Sequence, residues 1–191
     1  MTDIVLSNVS KQFNGDNVIK GFSYTFSQGK RYCLMGASGV GKTTLLEIIL
    51  GVSKPDEGHC AAHCDFSVVF QENRLMEELT PVVNVKMVLA EHKDKDIRKQ
   101  LCEILPKECL DKKCSELSGG MKRRVAIVRA MMHLSDCIVM DEPFSGLDEE
   151  SKKTTIEYIL RNQKGRTLIF VSHDEKDAVA LDAQICLLTR E

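Results

Sequence analysis

The first third of the chain carries short runs of β-branched and aromatic residues that are separated by turn residues. These runs predict strands at Ile4–Val9, Gly21–Phe26 and Lys30–Met35, with turns at Asn14–Asp16 and Gln28–Gly29. A segment made only of strands therefore precedes the first helix.

The next apolar residues recur at helical spacing and follow a glycine-rich turn. They predict a helix that begins at Gly41 and ends near Gly51. A turn at Lys54–Gly58 then leads to a short apolar run at Phe66–Phe70, which we expect to be a strand. A strand, a glycine-rich turn and a helix in this order are typical of a phosphate site.

From Pro81 to Cys114 the chain becomes charged and rich in helix-favouring residues. Apolar residues at helical spacing predict helices at Val82–His92 and Asp94–Leu105, the second of which stops before Pro106. We interpret this segment as a helical lobe inserted between strands.

The remaining third alternates between the two kinds of pattern. The expected elements are a helix at Ser118–Met132, helices after Asp148 and after His173, and strands at Cys137–Met140, Thr167–Val171 and Ala183–Leu188. Strands that alternate with helices predict an α/β fold, with a parallel sheet and helices on its faces.

Length and composition narrow the class of protein. A chain of 191 residues fits one domain, and its net charge of −2 gives no sign of a nucleic-acid binder or a polybasic membrane anchor. No signal-like start accompanies the eight cysteines, so we expect a reducing compartment. The apolar runs fall far short of the roughly 18 residues of a spanning helix, so membrane association would need another chain.

The segment Gly36–Thr43 matches the P-loop pattern G-x-x-x-x-G-K-[ST] between a predicted strand and a predicted helix. Glycines let backbone amides curl around phosphate oxygens, and the helix N-terminus adds a favourable dipole. Lys42 would neutralise the β- and γ-phosphates of ATP, and the Thr43 hydroxyl would ligate Mg²⁺. A flexible glycine-rich turn is the alternative. The expected ATP-binding residues here are Gly36, Ser38, Gly39, Gly41, Lys42, Thr43 and Thr44.

The segment Cys137–Glu142 is an apolar strand that ends in two carboxylates, the form of a Walker B segment. Asp141 would hold Mg²⁺, and Glu142 stands where a general base polarises the attacking water. For this segment taken alone, a strand that ends in a solvated acidic turn is an equal alternative.

The segment Leu117–Met121 resembles the signature motif of the ABC ATPases, and it precedes the Walker B segment as that family requires. Ser118 would begin a helix, so its hydroxyl and the amides of Gly119 and Gly120 would form an anion-binding N-terminus. An ordinary N-cap with a glycine turn is the alternative for the tetrapeptide alone. The resemblance covers Ile4–Thr189.

The resemblance assigns roles to further residues. Gln71 matches the Q-loop glutamine, which reaches the metal and the attacking water, and His173 matches the switch histidine at the γ-phosphate. Ser145–Asp148 resembles the D-loop, with Asp148 at the ATP site, although the family more often has alanine where Gly146 stands. The implied catalytic residues are Glu142, His173 and Gln71, and the implied metal ligands are Thr43, Gln71 and Asp141.

Phe13 stands where the family places an aromatic ring against adenine, although a phenylalanine of the core or of a strand edge is equally ordinary there. Within the family, Gln71–Met76 and the methionine at position 121 are similar to the nitrate, sulfonate and taurine importer group. Arg123 replaces a common glutamine of the family pattern.

The resemblance implies a P-loop NTPase fold: a RecA-like parallel sheet core with an N-terminal antiparallel β part and an inserted helical lobe. One domain would cover residues 1–191, with the ATP-binding core at 1–71 and 136–191 and the signature lobe at 72–135.

The implied function is that of the ATP-hydrolysing subunit of an ABC importer, which uses ATP and Mg²⁺. Two subunits would close on ATP, each signature motif on the partner's nucleotide. The implied partners are a second copy or a homologous subunit, membrane permease subunits and a substrate-binding protein, with no nucleic acid. The expected place is the cytoplasmic face of the membrane.

Two other classes of function compete with this one. A soluble ABC-type ATPase of DNA repair or of the ribosome would usually carry coiled-coil insertions or two cassettes, and the sequence has neither. A P-loop small-molecule kinase would need a substrate lid and gives no reason for Leu117–Gly120. The residues His59, Cys60, His63 and Cys64 suit zinc by type, but their spacing in an expected strand or hairpin does not favour it.

Overall fold

A computed structural model describes residues 3–13, 15–89 and 93–189 of the chain. The chain divides into two compact units. We call the first the P-loop unit; it comprises the residues up to Phe66, the segment Ser135–Asp141 and the residues from Gly165 onward. The second, the helical unit, comprises Ser67–Leu134 and Glu142–Lys164.

A three-stranded antiparallel sheet opens the P-loop unit. Its strands are β1 (Ile4–Phe13), β2 (Asp16–Phe26) and β4 (Glu57–Ala61), in the order β2-β1-β4. At Gly58 the φ angle is 74°, and an added Cβ would lie 2.2 Å from the Asn8 carbonyl oxygen. Only glycine therefore allows this close approach of β4 to β1.

A five-stranded sheet follows, in the order β5-β6-β7-β3-β8. Its strands are β3 (Arg31–Met35), β5 (Phe66–Val69), β6 (Cys137–Asp141), β7 (Thr167–Val171) and β8 (Gln184–Leu187). The pairs β6 with β7, β7 with β3 and β3 with β8 are parallel. Every residue of β6 and β7 is buried, as expected for a parallel sheet covered on both faces. The boundary between the two units falls within β5, after Phe66.

One apolar core joins these strands to the helix α1 (Lys42–Ile49). The core includes strand residues from both sheets and four buried residues of α1: Leu45, Leu46, Ile48 and Ile49. The helix α6 (Glu175–Ala180) completes the P-loop unit.

The helical unit contains α2 (Pro81–Lys86), α3 (Asp94–Cys102), α4 (Gly119–Met132) and α5 (Glu149–Asn162). Two short 3₁₀ helices lie between α3 and α4, at Lys107–Cys109 and Cys114–Glu116. Buried residues of all four α-helices form its core, among them Val85, Ile97, Ile127 and Ile159. The hydroxyl of the fully buried Tyr158 donates to Gln100 Oε1 at 2.9 Å, which ties α5 to α3.

The predicted α/β class is confirmed, but several predicted boundaries are wrong. The first two strands are longer than predicted, because polar residues such as Lys11 and Asp16 also pair across the hairpin. Residue 14 of the predicted turn lies outside the described residues. β4 agrees with the strand or hairpin expected around His59–Cys64, but it begins at Glu57, inside the turn predicted at Lys54–Gly58, because the polar and exposed Glu57–His59 also pair with β1.

Two predicted helices also end early. The helix predicted at Val82–His92 ends at Lys86, because the next residue, Met87, is exposed and would bury no apolar surface in a longer helix. Residues 90–92 lie outside the described part of the chain. The helix predicted to reach Leu105 ends at Cys102. There the amide of Ile104 donates to the carbonyl three residues earlier, so the last turn tightens.

In the described ranges, no helix combines the length and the apolar character that crossing a bilayer requires. The two longest helices, α4 and α5, have 14 residues each.

Candidate functional site

The carboxyl ends of three parallel strands meet at one edge of the sheet in the P-loop unit. The register pairs Leu34 of β3 with Val171 of β7, and Val171 with Asp141 of β6. The glycine-rich loop follows β3 and His173 follows β7, so both begin where Asp141 ends β6. Ligands of open α/β sheets bind at such an edge.

The glycine-rich loop has a backbone that requires glycine at its two ends. Gly36 has φ 151°, and an added Cβ would lie 2.4 Å from the Leu188 carbonyl oxygen. Gly41 has φ 104°, and a Cβ there would lie 2.8 Å from Val18 Cγ1. The loop is therefore fixed against β2 and against the chain just after β8.

The middle of the loop is open. Ala37, Ser38 and Gly39 are exposed, and a Cβ at Gly39, where φ is 74°, would meet nothing within 4 Å. The Lys42 Nζ donates to the carbonyl oxygens of Gly36 at 2.8 Å and Ala37 at 2.9 Å, which holds its ammonium group over the loop. The loop thus presents exposed backbone and a fixed positive charge, which suits phosphate.

The helix α1 begins at the end of this loop. Its N-cap is Gly41, which has no side chain, and its first turn contains no acidic residue. The first amides of a helix lack partners within the helix, and the helix dipole favours an anion there. This end of α1 is therefore suited to phosphate oxygens.

Thr43 and Asp141 were predicted as metal ligands, and the structure places them together. The Thr43 Oγ1 donates to Asp141 Oδ2 at 3.0 Å. Asp141 is buried, whereas Thr43 at the start of α1 is exposed. Mg²⁺ binds oxygen ligands, and a hydroxyl and a carboxylate oxygen side by side can serve as two of them, together with substrate phosphates and water. The residues present fit Mg²⁺.

The loop that carries His173 is held by hydrogen bonds at the residues just before and just after it. The Ser172 hydroxyl donates to Asp177 Oδ2 at 2.7 Å and accepts from the Asp174 amide at 3.1 Å. Ser172 and Asp177 are buried, whereas His173 is exposed. The buried serine and aspartate position the loop, and the sequence patterns did not identify them.

Phe13 ends β1 and is 48% exposed. The Lys11 Nζ lies 5.6 Å from the centroid of its ring. The alternative of a core phenylalanine is therefore wrong, and the ring is accessible at a strand end.

In the helical unit, Glu142 follows directly after β6 with φ 48°, a left-handed backbone that is uncommon for a residue other than glycine. Such strained residues cluster at functional sites. The Glu142 carbonyl accepts from the Ser145 amide at 3.2 Å, so a tight turn leads into the predicted D-loop. Gly146 in that loop has φ 74°, which favours glycine over the alanine of the family pattern.

The predicted D-loop ends at the N-cap of α5. Asp148 is that N-cap: its Oδ1 accepts from the Ser151 amide at 2.8 Å, and its Oδ2 accepts from the Ser151 hydroxyl at 2.9 Å. The amide bond, followed by the hydroxyl bond, holds the pKa of the Asp148 carboxyl below its usual value.

The predicted signature motif forms the start of α4. Ser118 is its N-cap, and its Oγ accepts from the Met121 amide at 3.3 Å, so its O–H remains available as a donor. Ser118 and Gly119 are exposed. A Cβ at Gly120 would lie 2.9 Å from the Gly146 carbonyl oxygen, so only glycine lets the signature motif approach the D-loop this closely.

Gln71 lies just after β5 in an exposed bend. The backbone around it is held by two arginines of α4 that the motifs did not identify as functional. Arg123 donates to the carbonyls of Phe70 and Gln71, and Arg129 donates to those of Asn73 and Arg74. No sequence pattern identified these bonds, because they join side chains to backbone about fifty residues away.

His59 and Cys60 are neighbours in β4, so their side chains leave opposite faces of the strand. Across residues 3–13, 15–89 and 93–189, no three side chains of histidine, cysteine, aspartate or glutamate are grouped so that they would hold a metal.

Comparison with known proteins agrees with this geometry. The family profile described as ABC transporter matches residues 19–145. The spermidine/putrescine import ATP-binding protein PotA of Mycoplasma capricolum is 34% identical over 97% of this chain, and that of Protochlamydia amoebophila is 32% identical over 97%. The chain spans 58% and 55% of the lengths of these two relatives.

Solved structures agree as well. A dimeric ATP-binding cassette, MJ0796, in a post-hydrolysis state bound to ADP and Pi superposes with a TM-score of 0.85 at 25% identity, over 97% of this chain and 94% of that one. A second dimeric structure of MJ0796, described as a bacterial ABC transporter cassette, gives a TM-score of 0.82 at 26% identity, with the same coverage.

Proposed function

Because the chain belongs to the ABC transporter family, we propose that it binds and hydrolyses ATP and that this hydrolysis powers an importer. The observation that carries the proposal is the pairing of Thr43 with Asp141 at the end of a loop whose glycines are required by its backbone. It supports a site for a metal-bound phosphate, built from the segment Gly36–Thr43 and from Asp141 at the end of β6.

The P-loop unit supplies the groups that bind the nucleotide. The amides of the loop from Gly36 to Gly41 and of the start of α1 would receive the phosphate oxygens. The ammonium group of Lys42 would turn from the loop carbonyls to the β- and γ-phosphates. Phe13 would stack on the adenine ring, and Ser38 and Thr44 would bond to phosphate oxygens.

Thr43, Asp141 and Gln71 are the proposed magnesium ligands. When bound, Mg²⁺ supplies positive charge that offsets the charge of the phosphate oxygens. Because Asp141 is buried and already bonded to Thr43, its carboxylate is held in place before any ligand arrives.

Three side chains would act on the attacking water and on the γ-phosphate that it attacks. Glu142 is the proposed general base, and the strained backbone at this residue fixes the direction in which its carboxylate leaves the chain. His173 would contact the γ-phosphate from a loop that Ser172 fixes. Gln71 would help to orient the water.

We propose that two copies, or this chain and a homologous subunit, close on the nucleotide. The support is the exposed start of α4, where the Ser118 O–H and the amides of Gly119 and Gly120 would form an anion site. The solved relatives at 25% and 26% identity are dimeric. Asp148 would lie at the same interface. One ATPase domain over residues 1–191, with the signature lobe at 72–135, remains part of this proposal.

Import is the finer part of the proposal, and it rests on the relatives, whose names describe spermidine/putrescine import. These names give no support to the nitrate, sulfonate and taurine group, so a polyamine is the cargo class to test first. The partners would be permease subunits and a substrate-binding protein, with the chain bound at the inner face of the membrane.

The mass of the Glu142→Gln variant in solution tests the function. With its base removed, the variant should keep ATP bound, and light scattering should give twice the mass of one chain in saturating Mg-ATP. The same variant in Mg-ADP, and a Lys42→Ala, Glu142→Gln double variant in Mg-ATP, should have the mass of one chain. Single-chain mass in every condition would reject the ATP-driven dimer.

A further inference from the structure

The loop that carries Gln71 is fixed to α4 by bonds to its backbone carbonyl groups. β5 ends at Val69, and the chain bends at Gln71 and Glu72. In an extended strand successive carbonyl groups point in opposite directions. At this bend, two successive carbonyl oxygens instead face the same guanidinium group, that of Arg123.

The bonds of Arg123 are short and partly buried. Nη1 donates to the Phe70 carbonyl oxygen at 2.5 Å, and Nη2 donates to the Gln71 carbonyl oxygen at 2.5 Å. The residue is 5% exposed. Hydrogen bonds from a charged donor are stronger than neutral ones, and the planar guanidinium offers two parallel donors that neither glutamine nor lysine reproduces.

A second arginine continues the attachment. Arg129, less than two turns further along α4, donates to the carbonyl oxygens of Arg74 at 2.8 Å and Asn73 at 3.1 Å. The guanidinium carbon of Arg74 lies 3.6 Å from the centroid of the Phe70 ring, which closes the loop on itself. Four carbonyls of the segment Phe70–Arg74 are thus bound to one helix.

The same helix begins at the signature motif, with Ser118 as its N-cap. Upstream of that cap, the amides of Cys114 and Ser115 donate to the carbonyl oxygens of Leu79 and Glu77 at 2.9 Å each. The chain that follows the Gln71 loop is therefore also bonded to the chain that precedes the signature motif.

We propose that Arg123 is a positioning residue that locks the Gln71 loop to the signature helix, so that both move as one body during the ATP cycle. This proposal rests on the proposed function and deepens it. Gln71 would act at the nucleotide of its own chain, and the signature motif at that of the partner. Because the link between them is rigid, closure of the signature motif on the partner's nucleotide would set the position of Gln71 at the nucleotide of its own chain.

Arg123 is the residue at which this sequence departs from the glutamine common in the family pattern. A glutamine has one neutral amide group, and its shorter side chain offers no charge-assisted pair of bonds. The bonds of Arg123 to the loop are therefore stronger than those a glutamine at this position would make.

A double-mutant cycle on the full chain tests the proposal. Arg123→Gln should lower kcat for ATP by about tenfold and raise the Mg²⁺ concentration for half-maximal rate, with the KM for Mg-ATP changed by less than about twofold. In a Gln71→Ala background, Arg123→Gln should have less than about twofold effect, because its action passes through Gln71. The Arg123→Lys variant, with one charged donor group, should fall between wild type and Arg123→Gln.

Arg98→Gln is the control, since Arg98 pairs with Asp111 on the exposed surface of the same unit. It should leave kcat and the Mg²⁺ requirement unchanged. The proposal is overturned if Arg123→Gln keeps wild-type kcat, or if it lowers kcat equally with and without Gln71.

Hydrogen exchange separates the failure of this proposal from the failure of the proposed function. In the chain without nucleotide, Arg123→Gln and Arg123→Lys should speed amide exchange within residues 70–74 and leave α1 unchanged. Unchanged exchange within 70–74 would overturn the lock whether or not the chain hydrolyses ATP. Absence of ATPase activity in the wild type, with faster exchange in the variants, would reject the function and keep the lock.

Discussion

Two glycines of the P-loop have different surroundings, and alanine at each should therefore have a different effect. At Gly39 the φ angle is 74°, and an added Cβ meets nothing within 4 Å. At Gly36 the φ angle is 151°, and the Cβ would lie 2.4 Å from the Leu188 carbonyl oxygen and 2.9 Å from Val40 Cγ1. In Gly39→Ala the only strain is that of the positive φ angle. In Gly36→Ala the new methyl group must also displace the backbone at Leu188 and the Val40 side chain.

The magnitudes follow from these contacts. Left-handed backbone costs a residue with a Cβ about 1–2 kcal/mol, which is the whole expected cost at Gly39. Overpacking adds about 1–3 kcal/mol, so Gly36→Ala should cost about 2–5 kcal/mol in total. At about 2–4 °C per kcal/mol for a chain of this size, Tm should fall by about 2–8 °C for Gly39→Ala and by about 4–20 °C for Gly36→Ala.

Thermal unfolding followed by circular dichroism measures both variants against Gly119→Ala. Gly119 lies in the first turn of α4, where a Cβ meets nothing within 4 Å and the φ angle is not positive, so that variant should be at least as stable as wild type. Calorimetry should show weaker Mg-ATP binding for Gly39→Ala even though it folds. Equal Tm values for Gly36→Ala and Gly39→Ala would refute the close approach at Gly36.

Three further predictions follow from single contacts. Ser118→Ala removes the acceptor for the Met121 amide, so it should lower the free energy of unfolding by about 1 kcal/mol and the Tm by about 2–4 °C. An unchanged Tm would contradict the N-cap role of Ser118. Cys102 is exposed, so a thiol reagent should label it before the other cysteines of the native chain, and peptide mapping would show this. Faster labelling of a buried thiol would contradict the packing described. Burial raises the pKa of six other thiols and keeps them protonated: Cys33, Cys60, Cys64, Cys114, Cys137 and Cys186. The bonds from Ser151 lower the pKa of Asp148. The ionised Asp148 carboxylate therefore stabilises the fold above the usual aspartate pKa, and this stabilisation is lost as the pH falls through the lowered value. The difference in Tm between wild type and Asp148→Asn should close over that pH range, and a difference that stays constant would contradict this.

Much of the P-loop unit was predictable, because short-range patterns determine it. The buried runs at β6 and β7 are almost entirely apolar, and a parallel sheet follows from their alternation with helices. Thr43 and Asp141 were expected to lie close together, because both were predicted as ligands of one Mg²⁺, one at the start of the helix after the glycine-rich loop and one at the end of a strand. The roles proposed for Gln71, Glu142 and His173 remain predictions.

What the sequence did not reveal depends on contacts between distant residues. β4 begins at Glu57, inside the turn predicted at Lys54–Gly58, because Gly58 lets this polar edge strand approach β1. The bonds of Arg123 to the Gln71 loop join residues about fifty positions apart, and no periodicity marks them. The early end of α2 at Lys86 likewise depends on the absence of packing around the exposed Met87, which a helical pattern does not contain.

The rate of phosphate release from Mg-ATP, in wild type and in Glu142→Gln, tests the central claim that this chain hydrolyses ATP at the site described. We predict measurable turnover in the wild type and a loss of at least about a hundredfold in the variant, because a general base is worth at least that factor. A variant that hydrolyses ATP at the wild-type rate would contradict the role of Glu142, and a folded wild type that releases no phosphate would contradict the claim itself.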